Sequence, residues 1–392
     1  MNSAQPARGF DTVEFETRCA RAQAAMVAGE LDAVVVTSPP NVRYFSGFAT
    51  EFWESPTRPW FVVVPREGLP VAVIPEIGAP AMARAWVADI RTWPAPRPAD
   101  DGVSLLAAVL EALPRRFGRI GWEMGRESVI RMPIADFDRL RDTVRGGLAF
   151  VDASPVIWSL RMVKSPAEIE RIRTACRLGS DAFDLMPARL GAGDTERAAA
   201  GKFRIALAEV GVDSVPFLAV CSGDAGYDQI IVGSTEARLE AGHVLFMDLG
   251  ATWDGYFCDF DRNFAIERVS DQALRAHDLV WRATEAGIAA ARPGATTSDL
   301  WRAMAGVLET AGPIDLNVGR LGHGLGMQLT EPPSNTADDA TPLVPGMVMT
   351  IEPGLEYAPG CMIVHEENVV ITGDGCEILT RRAPREMPVI AT

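Results

Sequence analysis

The sequence predicts two regions of mixed fold. A smaller α/β unit covers residues 1–155, and an α+β region over 156–392 is built as a curved antiparallel sheet covered by helices. Three observations carry this reading. At 392 residues the chain is long for one domain, and with 48% hydrophobic residues it can bury a large core. In the first part, short strands interleave with amphipathic helical stretches. Beyond it, long helical stretches lead into short apolar runs closed by turn residues, the order of an antiparallel sheet with helical cover.

In the N-terminal region, residues 15–31 have the spacing of an amphipathic helix, 33–37 that of a strand, and Ser38-Pro39-Pro40-Asn41 reads as a turn. Strands at 61–64 and 72–74 are joined by a turn at 67–70. The stretch 94–98 is a proline-rich loop, a helix follows around 103–113, and 120–123 is a strand. Residues 150–155 close the region. Between Phe52 and Trp60, aromatic rings, an acid and an arginine lie among prolines, a stiff surface that can both stack and pair charge.

The C-terminal region opens on a strong helix start: Ser165 as N-cap, Pro166 at the first helical position and Glu168 close behind, for a helix over 166–186. A second helix runs over 195–210 and stops at Gly211. A strand follows near 217–221. The apolar run 244–247 reads as a buried strand that Asp248 ends. Asp254-Gly255 is a hairpin signal with 256–258 as the returning strand, so Asp248 and Asp259 sit on paired antiparallel strands. Helices are expected at 270–292, ending at Pro293-Gly294, and at 297–311. Strands at 348–351 and 368–371 flank Glu352 and Glu366, with turns at Pro353-Gly354 and Gly373-Asp374-Gly375. Residues 381–385 read as a tail against the surface.

Charge and composition exclude several functions. A net charge of -15 without a basic stripe argues against nucleic acid and against anionic lipid. No run approaches a membrane span, and residues 1–15 lack the basic and apolar pattern of a signal peptide. The six cysteines are scattered with no C-x-x-C pair, the pattern of buried free thiols in a reducing, cytoplasmic compartment.

Five residues carry candidate chemistry. Asp248 and Asp259 lie in F-M-D-L-G-A-T-W-D-G-Y-F-C-D-F-D-R, His323 in G-H-G-L-G, Glu352 in T-I-E-P-G and Glu366 in V-H-E-E-N. Four carboxylates and one imidazole form a hard, oxygen-rich donor set that suits a pair of divalent ions better than a thiolate zinc site. Two such ions about 3.5–4 Å apart share and acidify a bridging water, and they polarise a carbonyl as a tetrahedral adduct forms.

These motifs resemble the pita-bread metallohydrolases: methionine aminopeptidase, Xaa-Pro aminopeptidase, prolidase and the metal-free creatinase. The resemblance is strong over the C-terminal region. Over the N-terminal region it is looser and follows the two-domain prolidase and creatinase branch, through Asn41-Val42-Arg43-Tyr44-Phe45-Ser46-Gly47-Phe48 and Leu160-Arg161-Met162-Val163-Lys164-Ser165-Pro166. It implies that Asp248, Asp259, His323, Glu352 and Glu366 hold two divalent ions, with manganese expected first and cobalt, zinc or iron as alternatives. It also implies that Glu352 moves the proton from water to the leaving group, that the protein is a homodimer, and that Trp53 and Arg58 contact substrate. The family's peptidases carry a histidine seven residues after the metal histidine, where this chain has Thr330. They carry another upstream of the first aspartate, where it has Ile231.

The expected function is therefore a two-metal hydrolase of the Xaa-Pro dipeptidase or aminopeptidase type, cleaving an amide in a short peptide with a metal-bridging hydroxide. Thr330 and Ile231 keep a second reading open, a metal-dependent hydrolase or lyase on a small creatine-like, cyclic amidine or dimethylsulfoniopropionate-like substrate. A third is a metal-free binding protein on the same fold.

Overall fold

The computed structural model describes residues 7–54, 58–144, 147–311 and 319–391. Residues 1–6 of the N-terminal stretch and 55–57 of the 52–60 loop lie outside that set. The chain divides into two compact units, Arg8–Arg161 and Met162–Thr392, the latter joined by Met1–Ala7. The division falls after Arg161 because the helix Ser154–Arg161 packs on the helix Thr12–Ala28, and the Arg161 Nη1 donates to Asn41 Oδ1 at 2.7 Å.

The N-terminal unit is a six-stranded mixed sheet in the order Asp89–Trp93, Val71–Pro75, Phe61–Pro65, Ala33–Val36, Arg119–Trp122, Ala149–Asp152. Its central strands are buried along their whole length. One core gathers Val35, Phe61, Leu106, Leu110, Trp122 and Leu140 from the sheet and the helices Val103–Ala112 and Ile134–Thr143. The expected turn at 38–41 is instead the start of a helix, Pro39–Ser46, with Ser38 as N-cap. Prolines fit a first helical turn, whose N–H groups have no partner within the helix. The buried Glu123 carboxylate accepts from the N–H groups of Thr37 and Ser38 at 2.6 and 3.0 Å and from Asn41 Nδ2 at 2.6 Å.

The C-terminal unit holds two antiparallel sheets under long helices. The first contains Ser214–Asp224, His243–Trp253 and Tyr256–Ile266, with Val389–Ile390 added in parallel to the last. The second runs Glu331–Ser334, His323–Gly324, Val348–Ile351, Glu367–Ile371, Cys376–Ile378, and a hairpin Gly354–Ala358/Cys361–Val364 stands beside it. The helix Pro166–Leu185 starts with a complete capping box between Ser165 and Glu168 and packs on the first sheet. Thr195 and Ser270 cap the helices Glu196–Val210 and Asp271–Ala290, and Gly211 closes the former in the left-handed region at φ 94°. Asp254 and Gly255 both take positive φ, 49° and 79°, the geometry a two-residue hairpin demands.

One expectation changes here. Asp248 does not end its strand but sits at the middle of an eleven-residue one. That strand is buried from Val244 to its end, so its apolar run continues past the acid. Residues 381–385 lie against the surface as expected, with Arg381, Pro384 and Arg385 exposed, and are anchored there: Arg381 N donates to Ser180 Oγ at 3.0 Å, and Ala383 N to the buried Glu367 at 3.0 Å. All six cysteines are free, with Cys361 and Cys376 only half-buried.

Candidate functional site

Strand register sets the first part of the site. Asp259 pairs with Gly250, and the residue directly opposite Asp248 is Asp261. Cross-strand partners share a face, as do residues two apart, so Asp248, Asp259 and Asp261 all project to one side. The second sheet brings the rest. His323 lies on the short strand beside Val348–Ile351, Glu352 follows that strand, and Glu366 precedes Glu367–Ile371. The two sheets are joined at this point by Asn368, whose side chain accepts from Asp259 N at 3.0 Å and donates to Asp259 O. Alternation along the strand turns Glu367 away from Glu366 toward Arg262, at 3.1 Å, and Arg382, at 3.1 Å.

The five candidate ligands line one cavity of about 620 Å³ together with Thr330 and Ile231. Ligand atoms of Asp259, His323 and Glu366 all lie within 4.8 Å of one another. His323 Nε2 stands 3.4 Å from Asp259 Oδ2. The other ring nitrogen, Nδ1, is 2.9 Å from the carbonyl of Gly324. That contact places the proton on Nδ1 and leaves the Nε2 lone pair facing the carboxylates, as a metal ligand requires. Glycines make the approach feasible: a Cβ at Gly322, where φ is +125°, would lie 2.3 Å from Thr350 O, and one at Gly324 would lie 2.4 Å from Pro332 O.

The electrostatics call for cations. Asp248 Oδ1 and Glu366 Oε1 are buried without a hydrogen-bond partner among the described residues. Burial pushes the Asp248 carboxyl up to about 7, and burial followed by the charge of Asp248 pushes Glu352 to about 8. Asp259 and Glu366 are driven well above the carboxylate range, by burial first and then by their acidic neighbours. Burial, then the charge of Arg320, lowers His323 to about 4, so its imidazole is neutral and free to coordinate. Orphaned oxygens, mutual repulsion and one neutral imidazole are the environment that divalent ions relieve, and the hard donor set fits them.

Two residues at the site were not singled out from the sequence. Asp261 is buried beside Asp248 with both carboxyl oxygens unpartnered among the described residues. Its signal was the D-F-D spacing, which puts two acids on one strand face. Arg320 lines the cavity and donates from Nη2 to Thr330 Oγ1 at 2.9 Å, and no motif pointed to it. Trp53 and Arg58 belong to the N-terminal unit. There Trp53 packs edge-on against Phe48 and Trp60 at ring distances of 6.5 and 5.9 Å, and Arg58 lies 4.8 Å over Phe52. His365 is buried with Nδ1 3.1 Å from Thr284 Oγ1 and Nε2 3.0 Å from Arg382.

Residues 18–163 match the creatinase/prolidase N-terminal domain. Over 388 residues the chain is 30% identical to the probable dipeptidase PepE of Mycobacterium tuberculosis, covering 98% of each. The crystal structure of dipeptidase PepE from Mycobacterium ulcerans superposes with a TM-score of 0.84 at 30% identity, over 98% of this chain and all of that one. The X-Pro aminopeptidase of Thermotoga maritima gives 0.79 at 25% identity, over 95% and 99%. With residues 170–373 matching its pattern and the carboxylate-rich cavity built from that same stretch, the chain belongs to metallopeptidase family M24.

Proposed function

We propose that this enzyme hydrolyses the peptide bond of dipeptides and other short peptides, Xaa-Pro sequences included, with Asp248, Asp259, His323, Glu352 and Glu366 holding two divalent ions, manganese first among the candidates. The observation that carries the reading is the convergence of these five side chains, all but the half-buried Glu352 buried, on one cavity, with carboxylate oxygens left unpartnered among the described residues. Ions bound there supply Lewis acidity, which polarises the scissile carbonyl and acidifies water. Glu352 is the residue that takes the proton from the attacking water and returns it to the leaving amine. Gly324 fixes the His323 ring, and Asn368 fixes the strand that carries Asp259. Thr330 and Ile231 face the substrate from the cavity wall. A cytoplasmic homodimer is the proposed working form, in keeping with the acidic composition and the resemblance. Among the described residues no helix is long and apolar enough to cross a membrane.

The test is release of free amino acids from a dipeptide panel by purified protein, before and after chelation and after return of manganese. Activity should vanish on chelation and recover with the ion. Glu352→Gln should lower kcat by about a hundredfold or more while the ions still bind. Full turnover by that variant, or protein that binds no divalent ion, would overturn the reading. The small-molecule and metal-free alternatives are not favoured by relatives that are named as dipeptidases and an X-Pro aminopeptidase. Turnover of betaines or amidines but not of dipeptides would restore the first of them.

A further inference from the structure

The strand that carries Asp259 and the strand that Glu366 precedes belong to different sheets, with no ladder pairing between them among the described residues. Asp259 lies opposite Gly250, and in an antiparallel ladder every second residue turns both its N–H and its C=O away from the strand it faces. On that outer edge the strand Val389–Ile390 pairs with Ala265 and Ile266 and does not reach Asp259. The buried Asn368 side chain takes the place of the missing strand. Its Oδ1 accepts from Asp259 N at 3.0 Å, and its Nδ2 donates to Asp259 O. A carboxamide can do this because it carries an acceptor and a donor side by side, as a peptide group does. The Oδ1 also accepts from the buried Cys176 thiol at 3.3 Å, which fixes the way the amide faces.

The bracing runs in both directions. Asn368 lies two residues past Glu366 and holds the main chain of Asp259. Arg262 lies three residues past Asp259, and its Nη1 donates to the carbonyl of Glu366 at 3.1 Å. Asn263 adds a bond from Nδ2 to Val364 O at 2.7 Å, just ahead of Glu366. The backbone of each acid is thus held by a side chain from the other's segment. These bonds, in the absence of a shared ladder, set how far apart the two carboxylates stand, and both place a ligand atom within 4.8 Å of the one on His323. On the reading that the cavity holds two divalent ions, we propose that Asn368, oriented by Cys176, is the positioning residue that keeps Asp259 and Glu366 close enough to serve one ion together. Without its amide, Asp259 N and O are buried groups in need of new partners, and the strand edge must move to find them. The carboxylate moves with the main chain that carries it. Asn368 thereby governs how tightly the centre holds manganese and how close together its ions sit.

The experiment titrates the metal-free protein with manganese by calorimetry and examines the loaded forms by electron paramagnetic resonance. Wild type should take up two ions and give the signal of a magnetically coupled pair, as ions about 3.5–4 Å apart do. Asn368→Ala should lower the affinity for at least one ion by about ten- to a hundredfold, the range for residues that orient ligands, and weaken the coupled signal. Cys176→Ala removes only the thiol that turns the amide and should lower that affinity about two- to fivefold, as loss of one weak hydrogen bond does. Cys176→Ser, which keeps a donor, should restore it. A role confined to stability would lower the urea midpoint of the metal-free variants and leave their manganese affinity and coupled signal as in wild type. That result overturns the proposal, and so does a Cys176→Ser affinity no better than that of Cys176→Ala. If Asn368→Ala does not fold, the two Cys176 variants decide the question. Wild type that takes up no manganese would sink the metal reading itself; two ions held equally well with and without the Asn368 amide would sink the bracing alone.

Discussion

Asp248 and Asp261 face each other directly across the hairpin strands, two buried acids on one face of the sheet. Like charges in directly opposed positions destabilise a strand pair. Burial, then the neighbouring Asp248, drives the Asp261 carboxyl well above its ordinary range, and neither of its oxygens has a hydrogen-bond partner among the described residues. The arrangement makes sense beside bound cations. Asp261→Asn keeps the shape and removes the charge, and it should weaken divalent-ion binding by about ten- to a hundredfold, the usual effect of altering a residue behind the ligands. Competition with a fluorescent chelator measures this, and unaltered affinity would dismiss Asp261 from the centre.

Removing the ions should expose a stability defect that grows with pH. Asp248, at about 7, and Glu352, at about 8, start from ordinary values of 3.8 and 4.5. The folded metal-free chain therefore holds protons that the unfolded chain has already released. Its stability is full below the ordinary values of 3.8 and 4.5 and declines as pH rises from there until it has passed the folded values of about 7 and about 8. Melting temperatures of chelated and manganese-loaded protein should lie close together near pH 5 and diverge toward about pH 8. A gap that narrows with rising pH would contradict this.

Lys164 and Glu331 form an ion pair at 3.2 Å with both side chains almost wholly buried. Glu331 also accepts from the N–H groups of Met327 and Gln328, at 2.8 and 3.1 Å, in the loop that follows His323. Lys164→Met strands that carboxylate and should cost about 3–5 kcal/mol in a denaturant titration. The double variant with Glu331→Gln should recover part of the loss, since the charge left unpaired is then gone.

Acid should act through His277. Its ring is buried with neither nitrogen hydrogen-bonded among the described residues, and burial lowers it from 6.5 to about 4. The unfolded chain gains a proton there as pH falls below about 6.5, and the folded chain resists until about 4, so stability is lost progressively across that window. The contribution is up to about 3 kcal/mol, at 1.36 kcal/mol per pH unit. His277→Leu should flatten the loss between about pH 6.5 and 4, read as the pH dependence of the urea midpoint. An identical slope in the variant would place the acid sensitivity elsewhere.

What could be read from the chain alone was governed by distance along it. Helix starts at Ser165, Thr195 and Ser270 and the Asp254-Gly255 hairpin depend on neighbouring residues, and the structure has them where they were expected. The gathering of Asp248, Asp259, His323, Glu352 and Glu366 in one cavity followed from motif order. Register did not: placing Asp261 opposite Asp248 requires the strand to continue through an acid, which a local apolar run conceals. The helix at Pro39 depends on Glu123, over 80 residues away, and the edge strand Asp89–Trp93 is largely exposed and has no apolar alternation to announce it. The parallel pairing of Val389–Ile390 with Ala265–Ile266 joins segments with no sequence relation. Arg320 carried no pattern, because its orientation comes from a hydroxyl ten residues on.

The crowded glycines around His323 also bear on how this enzyme can change. At Gly322, Gly324 and Gly326 an added methyl group would sit 2.3–2.7 Å from Thr350, Pro332 or the Glu331 carboxylate. A drifting or laboratory-evolved lineage thus has little freedom along that stretch without moving the main chain that presents the imidazole. Arg320, Leu329 and Thr330 reach the cavity on either side of it under no such constraint. New specificities on this scaffold should therefore arise at the flanks of the loop, with its interior kept intact.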